Sequence, residues 1–388
     1  MPVSTCCSWG RQVLRKPSGR LSVAGAFLAL VALVVFLGGR LASSRLKGRI
    51  ERYRLAGVPV RIEEVPWYIE TDSDLRDAGP AYGSALLARG GHISGPTFAA
   101  TVVGIPLLDG RCENRLEPDE TTCVRAETYL ATQSEWCATL QALSEYDVCR
   151  ARTYAGCEAY AEIRHPYLQP LAHGVTFLCL EALIAAHRGD PEGGLRFLTQ
   201  ARDVNRLILS EPFLPNVATA IRGEKTLVKV MEGVVAHVGQ PGPEALRQLR
   251  RLCVPFGPDV VRQGVTLERL AGLDYFYLSG ADNGPYGPHS FSYLKSMPVW
   301  LSSRKIEEFL NFTDGVDRVC ALPPSQWVVS AIQLEKTRGG DRHRINPLLS
   351  LGTPMFTMAI GYGTYCGAMA KMGQKLDQLM SDSDMPGG

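Results

Sequence analysis

The sequence lacks the short signatures that usually announce chemistry. It holds no HExxH, GxSxG, P-loop, GxGxxG or CxxC, so the common local marks of zinc proteases, hydrolases, nucleotide enzymes and redox domains are missing. It also lacks an excess of either charge. With 41 Lys and Arg against 39 Asp and Glu, the formal charge of +2 gives no broad basic field, and no nucleic-acid partner is expected. Acidic residues are missing from the first twenty positions, and charge of either sign is missing from Leu21 to Gly39.

The uncharged stretch is the first strong signal. Leu21 to Leu37 (LSVAGAFLALVALVVFL) is apolar throughout, and the window to Gly39 suffices for a helical membrane span, which takes roughly 17–25 residues. Arg11, Arg15, Lys16 and Arg20 precede it, the pattern of a signal anchor. We read 1–20 as a short cytoplasmic basic tail, 21–39 as a retained transmembrane signal anchor and 40–80 as a juxtamembrane connector. Arg40, Arg45, Lys47, Arg49, Arg52 and Arg54 follow the span, so the positive-inside rule conflicts with itself. Cysteine usage is the tiebreaker. Five cysteines, Cys112, Cys123, Cys137, Cys149 and Cys157, crowd together, a density that favours an oxidising compartment and makes them the disulfide candidates. The expected location is the cell membrane, single-pass, with the carboxy-terminal body extracytoplasmic, on the periplasmic side.

Arg45 to Arg54 reads as a short basic helix that continues from the span or lies on the lipid surface, with some attraction to anionic head groups. Asp72, Asp74 and Asp77 lack the glycine and distal glutamate of a calcium loop and read as a solvated turn. Residues 81–170 form a Cys-rich helical region, with helices expected over Ala81 to Ala88, Thr121 to Ser144 and Tyr154 to Ile163.

Residues 171–278 read as central helical hairpins. Val175 to Leu209 is the clearest element, two antiparallel helices joined at His187-Arg188-Gly189-Asp190. The first is apolar almost all round, as a helix buried on several sides must be. The second is amphipathic, with Leu195, Leu198, Ala201 and Leu207 on one side and Arg196, Gln200, Arg202 and Arg206 elsewhere on the wheel. Gly189 suits a left-handed helix end, Asp190 an N-cap and Pro191 a first helical position. After the corner Glu211-Pro212, Asn216 is expected to cap a helix that ends near His237. The motif Ala-His-x-Gly-x-Pro recurs at Ala186 and Ala236, a spacing compatible with stacked hairpins.

Residues 279–300 form a Gly/Pro/aromatic loop, 301–380 carry carboxy-terminal helices (Ser303 to Leu322, Ser325 to Lys336) and 381–388 are a disordered tail. Long loops within compact domains are often functional, so Tyr286, His289, Phe291 and Tyr293 are the candidate binding residues. Asn346 to Ala370 is uncharged but interrupted by glycine, and reads as a buried terminal helix in preference to a second span. No catalytic residue, metal ligand or cofactor is assigned. His165 and His173, with Cys157 or Glu162, match no standard metal spacing, and His187 and His237 read as helix-end caps.

Ala182, Gly189, Gly194, Leu198 and Ala201 fall at small and apolar positions of the tetratricopeptide repeat, which this stretch resembles locally. Ala182 to Leu195, followed by Glu211-Pro212, is similar to a pattern AxxxxxEGDPxxAL in uncharacterised single-span helical-hairpin proteins of planctomycete-like bacteria. That resemblance runs from Tyr53 towards Gln378 and implies an anchor with helical hairpins, and no activity. The expectation is a mainly α fold: an amino-terminal transmembrane helix, then an α-helical hairpin array, solenoid-like or an irregular bundle. Such an array acts as a scaffold for a protein or peptide partner. The alternative is an extracytoplasmic enzyme assembled from His165, His173 and the Tyr286/His289 loop.

Overall fold

A computed structural model describes residues 17–61, 64–65, 74–90, 120–151, 165–238, 242–273, 299–338 and 348–383. The candidate loop residues Tyr286, His289, Phe291 and Tyr293, the expected helix 154–163, and Cys112, Cys157, Glu162 and Asp72 lie outside the described residues. The described residues form twelve helices and no strand. In order these are α1 (Pro17–Leu55), α2 (Ala78–Gly90), α3 (Glu120–Ala131), α4 (Ser134–Leu143), α5 (Leu168–His187) and α6 (Pro191–Ile208). There follow α7 (Leu214–Val238), α8 (Pro243–Leu252), α9 (Pro258–Leu273), α10 (Val299–Cys320), α11 (Pro324–Arg338) and α12 (Leu348–Ser383).

The apolar run and the basic segment after it are one helix. At 39 residues α1 is about 58 Å long, from a rise of about 1.5 Å per residue. Its apolar part stands free of the body: Phe27 and Leu28 are 65% and 67% exposed. Its last turns do the opposite, burying Leu46 and Ile50 against α10. The helix stops at Gly57, whose φ of +67° is the left-handed conformation that glycine adopts without steric cost. Gly57 N donates to Arg54 O and Val58 N to Tyr53 O, which satisfies carbonyls the helix end would leave open.

The central hairpin forms as its sequence dictates. Gly189, with φ of +80°, ends α5 in the same way, its N donating to Ala186 O and Asp190 N donating to Ala185 O. The Asp190 carboxylate then accepts from Gly193 N at 2.8 Å, and Pro191 occupies the first turn of α6. α5 is the buried centre of the body. α6 packs along it, α7 lies against both, and α2, α3 and α4 cover α5 from other sides. α12 then crosses α7, α8, α9, α10 and α11, and a single hydrophobic core runs through all of these layers.

Several expectations need correction. Thr121 to Ser144 is two helices, α3 and α4, broken at Thr132-Gln133. α7 starts before Asn216, which sits buried inside its first turn and is not its cap. Asp77 is not part of a solvated turn. Its carboxylate accepts from Gly79 N at 2.9 Å and Arg150 N at 3.1 Å, capping α2 and pinning it to the chain after α4. The uncharged carboxy-terminal stretch, by contrast, is the expected buried terminal helix: Met355, Met358, Tyr362, Tyr365, Met369 and Leu376 are buried. Gly363 lets α12 approach α11, where a Cβ would crowd Val328, Trp327 and Pro324 O at 3.1–3.3 Å. Among the described residues, two helices are long and apolar enough to cross a membrane, part of α1 and α5, and 61% of the α5 window is buried in the body.

Candidate functional site

The described residues bring two polar clusters together, and both tie distant helices. The first is the junction between anchor and body. Leu46, Arg49, Ile50 and Tyr53 recur at helical spacing, so the face of α1 that meets α10 is half apolar and half polar. Arg49 donates from Nη2 to Asp314 Oδ2 at 2.6 Å, from Nη1 to Asn311 Oδ1 at 2.7 Å and from Nε to the Tyr53 hydroxyl at 3.0 Å. Tyr53 passes its own proton on, donating to Asp314 Oδ1 at 2.8 Å. Arg269 of α9 completes the cluster, its Nη1 3.7 Å from Asp314 Oδ1 and its guanidinium 5.2 Å from the centre of the Tyr53 ring.

Electrostatics hold this arrangement in its charged form. Burial works to lower the Arg49 pKa, but Tyr53 and Asp314 outweigh it and the net shift is upward. Burial is also the largest cause of the raised Tyr53 pKa. The Tyr53 proton therefore stays in place as a donor to Asp314. The result is a three-helix clamp: α1, α9 and α10 meet on one carboxylate, and Arg262 to Asp317 at 3.5 Å adds a second tie between α9 and α10.

The clamp also sets direction. Arg49 and Tyr53 both reach Asp314, which fixes where α1 meets α10. Arg262 meets Asp317, Arg269 meets Asp314 and Gly272 lies against Phe309, so α9 and α10 run antiparallel. The end of α9 and the start of α10 therefore lie at the same end of this pair. The chain departs the described residues at Leu273 and returns at Val299.

The second cluster is buried among α6, α7, α8 and α12. Arg202 was expected on the wet face of α6, yet it is 4% exposed. Its Nη1 donates to Arg251 O at 3.0 Å and its Nη2 to Val254 O, so it holds the carbonyls at the end of α8, where a cation is favoured. Its Nε lies 4.0 Å from Glu224 Oε2. Glu224 accepts from Asn205 Nδ2 at 3.0 Å and from the Tyr365 hydroxyl at 2.9 Å. Desolvation raises the Glu224 pKa, with Arg202 pulling against it. The periodicity of α6 misplaced Arg202 because the polar side of one helix is here covered by others.

The remaining candidates are dispersed. His165 packs its ring 4.9 Å from Phe213. His187 Nε2 lies 3.1 Å from Glu120 Oε2 and its ring 5.5 Å from that of His237. His237 Nδ1 meets Gly233 O at 2.9 Å, as a cap of the α7 end would. Arg188 bridges Glu120 and Glu127, which fastens α3 to the turn after α5. Among the described residues, no group of three or more His, Cys, Asp or Glu side chains is arranged to hold a metal.

The cysteines serve the core. Cys123, Cys137 and Cys149 are buried on separate segments, and no disulfide joins two described cysteines. Cys137 Sγ lies 3.6 Å from Glu181 Oε1. These three described cysteines pack in the core as small apolar residues. The clamp at Asp314 had no local signal in the sequence, because its members come from segments more than 200 residues apart. Comparison with protein-family models, with curated proteins and with solved structures found no match.

Proposed function

We propose that this chain is a single-span membrane protein whose helical body acts as a non-enzymatic scaffold for a protein or peptide partner. The observation that carries the reading is the dual character of α1. One uninterrupted helix presents exposed apolar side chains between Gly25 and Leu37 and is clamped into the body over its last turns. A soluble protein has no reason to expose Phe27, Leu28, Leu30, Leu33, Val34 and Phe36 in one continuous run. A helix that continues from bilayer to core fixes the body's orientation to the membrane, which suits a scaffold that must present one face.

The hairpins α5–α6 and α7–α8 support the scaffold part. α5 and α6 pair closely and α7 lies on both of them, while α8 packs on α6 and α12, so the helices stack in layers of the kind that present an extended surface. In this reading the partner-binding segment is the loop carrying Tyr286, His289, Phe291 and Tyr293, between α9 and α10. The body stands on the extracytoplasmic side. Support for that side comes from the cysteine density between 112 and 157, because basic residues stand on both sides of the span and leave the charge rule undecided.

Three readouts test the reading on the full-length chain. Alkaline carbonate should leave it in the membrane pellet, and Leu28→Arg with Leu33→Arg should release it. A carboxy-terminal tag on sealed vesicles of known sidedness should be digested from the extracytoplasmic face; digestion only from the cytoplasmic face would reverse the topology. Cross-linking in native membranes should capture a stoichiometric partner that is lost when 279–298 is shortened, and recovery of the protein alone would remove the scaffold.

A further inference from the structure

The basic residues of α1 that the clamp does not use form a second, separate surface. α10 covers Leu46, Arg49, Ile50 and Tyr53. On the helix wheel the other cations flank the open side in two rows, Arg40, Lys47 and Arg54 on one and Arg45 and Arg52 on the other. All five are exposed. Glu51 is the sole acidic residue between 40 and 55, and it lies 3.7 Å from Arg54.

We infer that Arg40, Arg45 and Lys47 bind the acidic head groups of membrane phospholipids. The inference rests on residues 21–39 being the span, and adds to it the lipid class that surrounds the anchor. The geometry sets which cations take part. Helical side chains lean towards the amino terminus, and α1 runs from membrane to body, so its arginines lean back to the bilayer. Arg40 displays this lean: its guanidinium lies 5.1 Å from the centre of the Phe36 ring, one turn earlier. Arg45 and Lys47 stand only about 7–10 Å further along the axis, at about 1.5 Å per residue. That is within side-chain reach and within about one screening length of the phosphates. Arg52 and Arg54, about 18–21 Å along, are too far to contact a head group. The clamp makes the collar a fixed one, because α10 holds the same helix from its other face and prevents it from lying down on the lipid surface.

The test uses the full-length chain in nanodiscs of phosphatidylcholine with a minor share of phosphatidylglycerol. Lipid retained by the purified protein after brief detergent extraction is quantified. Wild type should hold phosphatidylglycerol several-fold above its bulk share, with the enrichment falling at high salt. Arg40→Gln/Arg45→Gln/Lys47→Gln should insert equally well and fall to the bulk share, while Arg52→Gln/Arg54→Gln should keep the enrichment. Equal enrichment in wild type and the triple variant overturns the head-group site. So does an equal loss in the Arg52/Arg54 variant, which would mean a diffuse field and no defined contact. Failure of wild type to enter nanodiscs at all would instead overturn the span itself, and the collar with it.

Discussion

Arg49 and Asp314 are 265 residues apart in sequence, yet their side chains meet at 2.6 Å where the anchor helix α1 joins the body helix α10. The pair is partly sheltered, at 15% and 28% side-chain exposure, so solvent screens it less than a surface pair. Tyr53 and Arg269 converge on the same carboxylate. Removing Asp314 therefore leaves two guanidinium groups and the Tyr53 hydroxyl without their shared carboxylate, whereas removing Arg49 frees acceptors of which the charged one, Asp314, keeps Tyr53 and Arg269.

That asymmetry predicts an order of effects. Asp314→Ala should destabilise the full-length chain in detergent by about 1.5–3 kcal/mol, the range for hydrogen bonds to charged groups. Arg49→Ala should cost less and Tyr53→Phe least. In a double-mutant cycle, Arg49 and Asp314 should show a coupling of at least about 0.5 kcal/mol. Urea unfolding that gives additive effects for the two substitutions would mean that the contact does not hold the anchor to the body.

The turn between α5 and α6 gives a sharper local prediction. Gly189→Ala forces a side chain into φ of +80° and should cost about 1–2 kcal/mol. Gly189→Asn should cost less, because asparagine tolerates that region better. Asp190→Ala removes the cap on Gly193 N and should cost about 1 kcal/mol. If thermal unfolding ranks alanine at 189 no worse than asparagine, the left-handed turn is not what ends α5.

The contrast between these two sites shows what the chain discloses about itself. The turn was legible because every determinant is local: Gly189, Asp190 and Pro191 act within a few residues of one another. The break between α3 and α4 was not. The buried residues of α3 (Cys123, Ala126, Leu130) and of α4 (Trp136, Cys137, Leu140, Leu143) each recur at helical spacing, and neither Gly nor Pro marks the join at Thr132-Gln133, so the two read as one helix. Arg202 was misread for a related reason. A single helix reveals its polar side, but only its neighbours decide whether that side meets water. The clamp and the Glu224 cluster are both products of tertiary contact, so neither left a motif.

The buried cysteines predict chemical silence. Burial pushes the thiols of Cys149 and Cys320 up to about 12 and that of Cys253 up to about 11, and nearby carboxylates add to the effect for the first two. Only the thiolate reacts, so almost none is present at pH 8. Iodoacetamide followed by peptide mass spectrometry should modify these three cysteines only after denaturant is added, and without prior reduction. Labelling of the native protein, or a need for reductant in the denatured one, would contradict buried thiols as the resting state.

Glu224 predicts the pH dependence of stability. Its pKa is raised in the folded chain, chiefly by desolvation, so the native state binds the proton more tightly than the unfolded chain does. Below the unfolded value of about 4.3 the residue is protonated in both states and carries no penalty. As pH rises from there towards the folded value, the unfolded chain ionises first, and stability is lost at up to about 1.4 kcal/mol per pH unit. Glu224→Gln is neutral throughout. It lacks one acceptor for Asn205 or Tyr365, but that cost does not change with pH. The stability of the variant relative to wild type should therefore increase between about pH 4 and pH 7, whatever its absolute offset. Urea midpoints at matched ionic strength across that range measure the difference directly. A flat difference would mean that Arg202, 4.0 Å away, fully offsets the desolvation and that the buried pair is ionised in the native protein. Glu224→Ala would then be the more damaging change, leaving Arg202 as an uncompensated buried charge at a cost of about 3–5 kcal/mol.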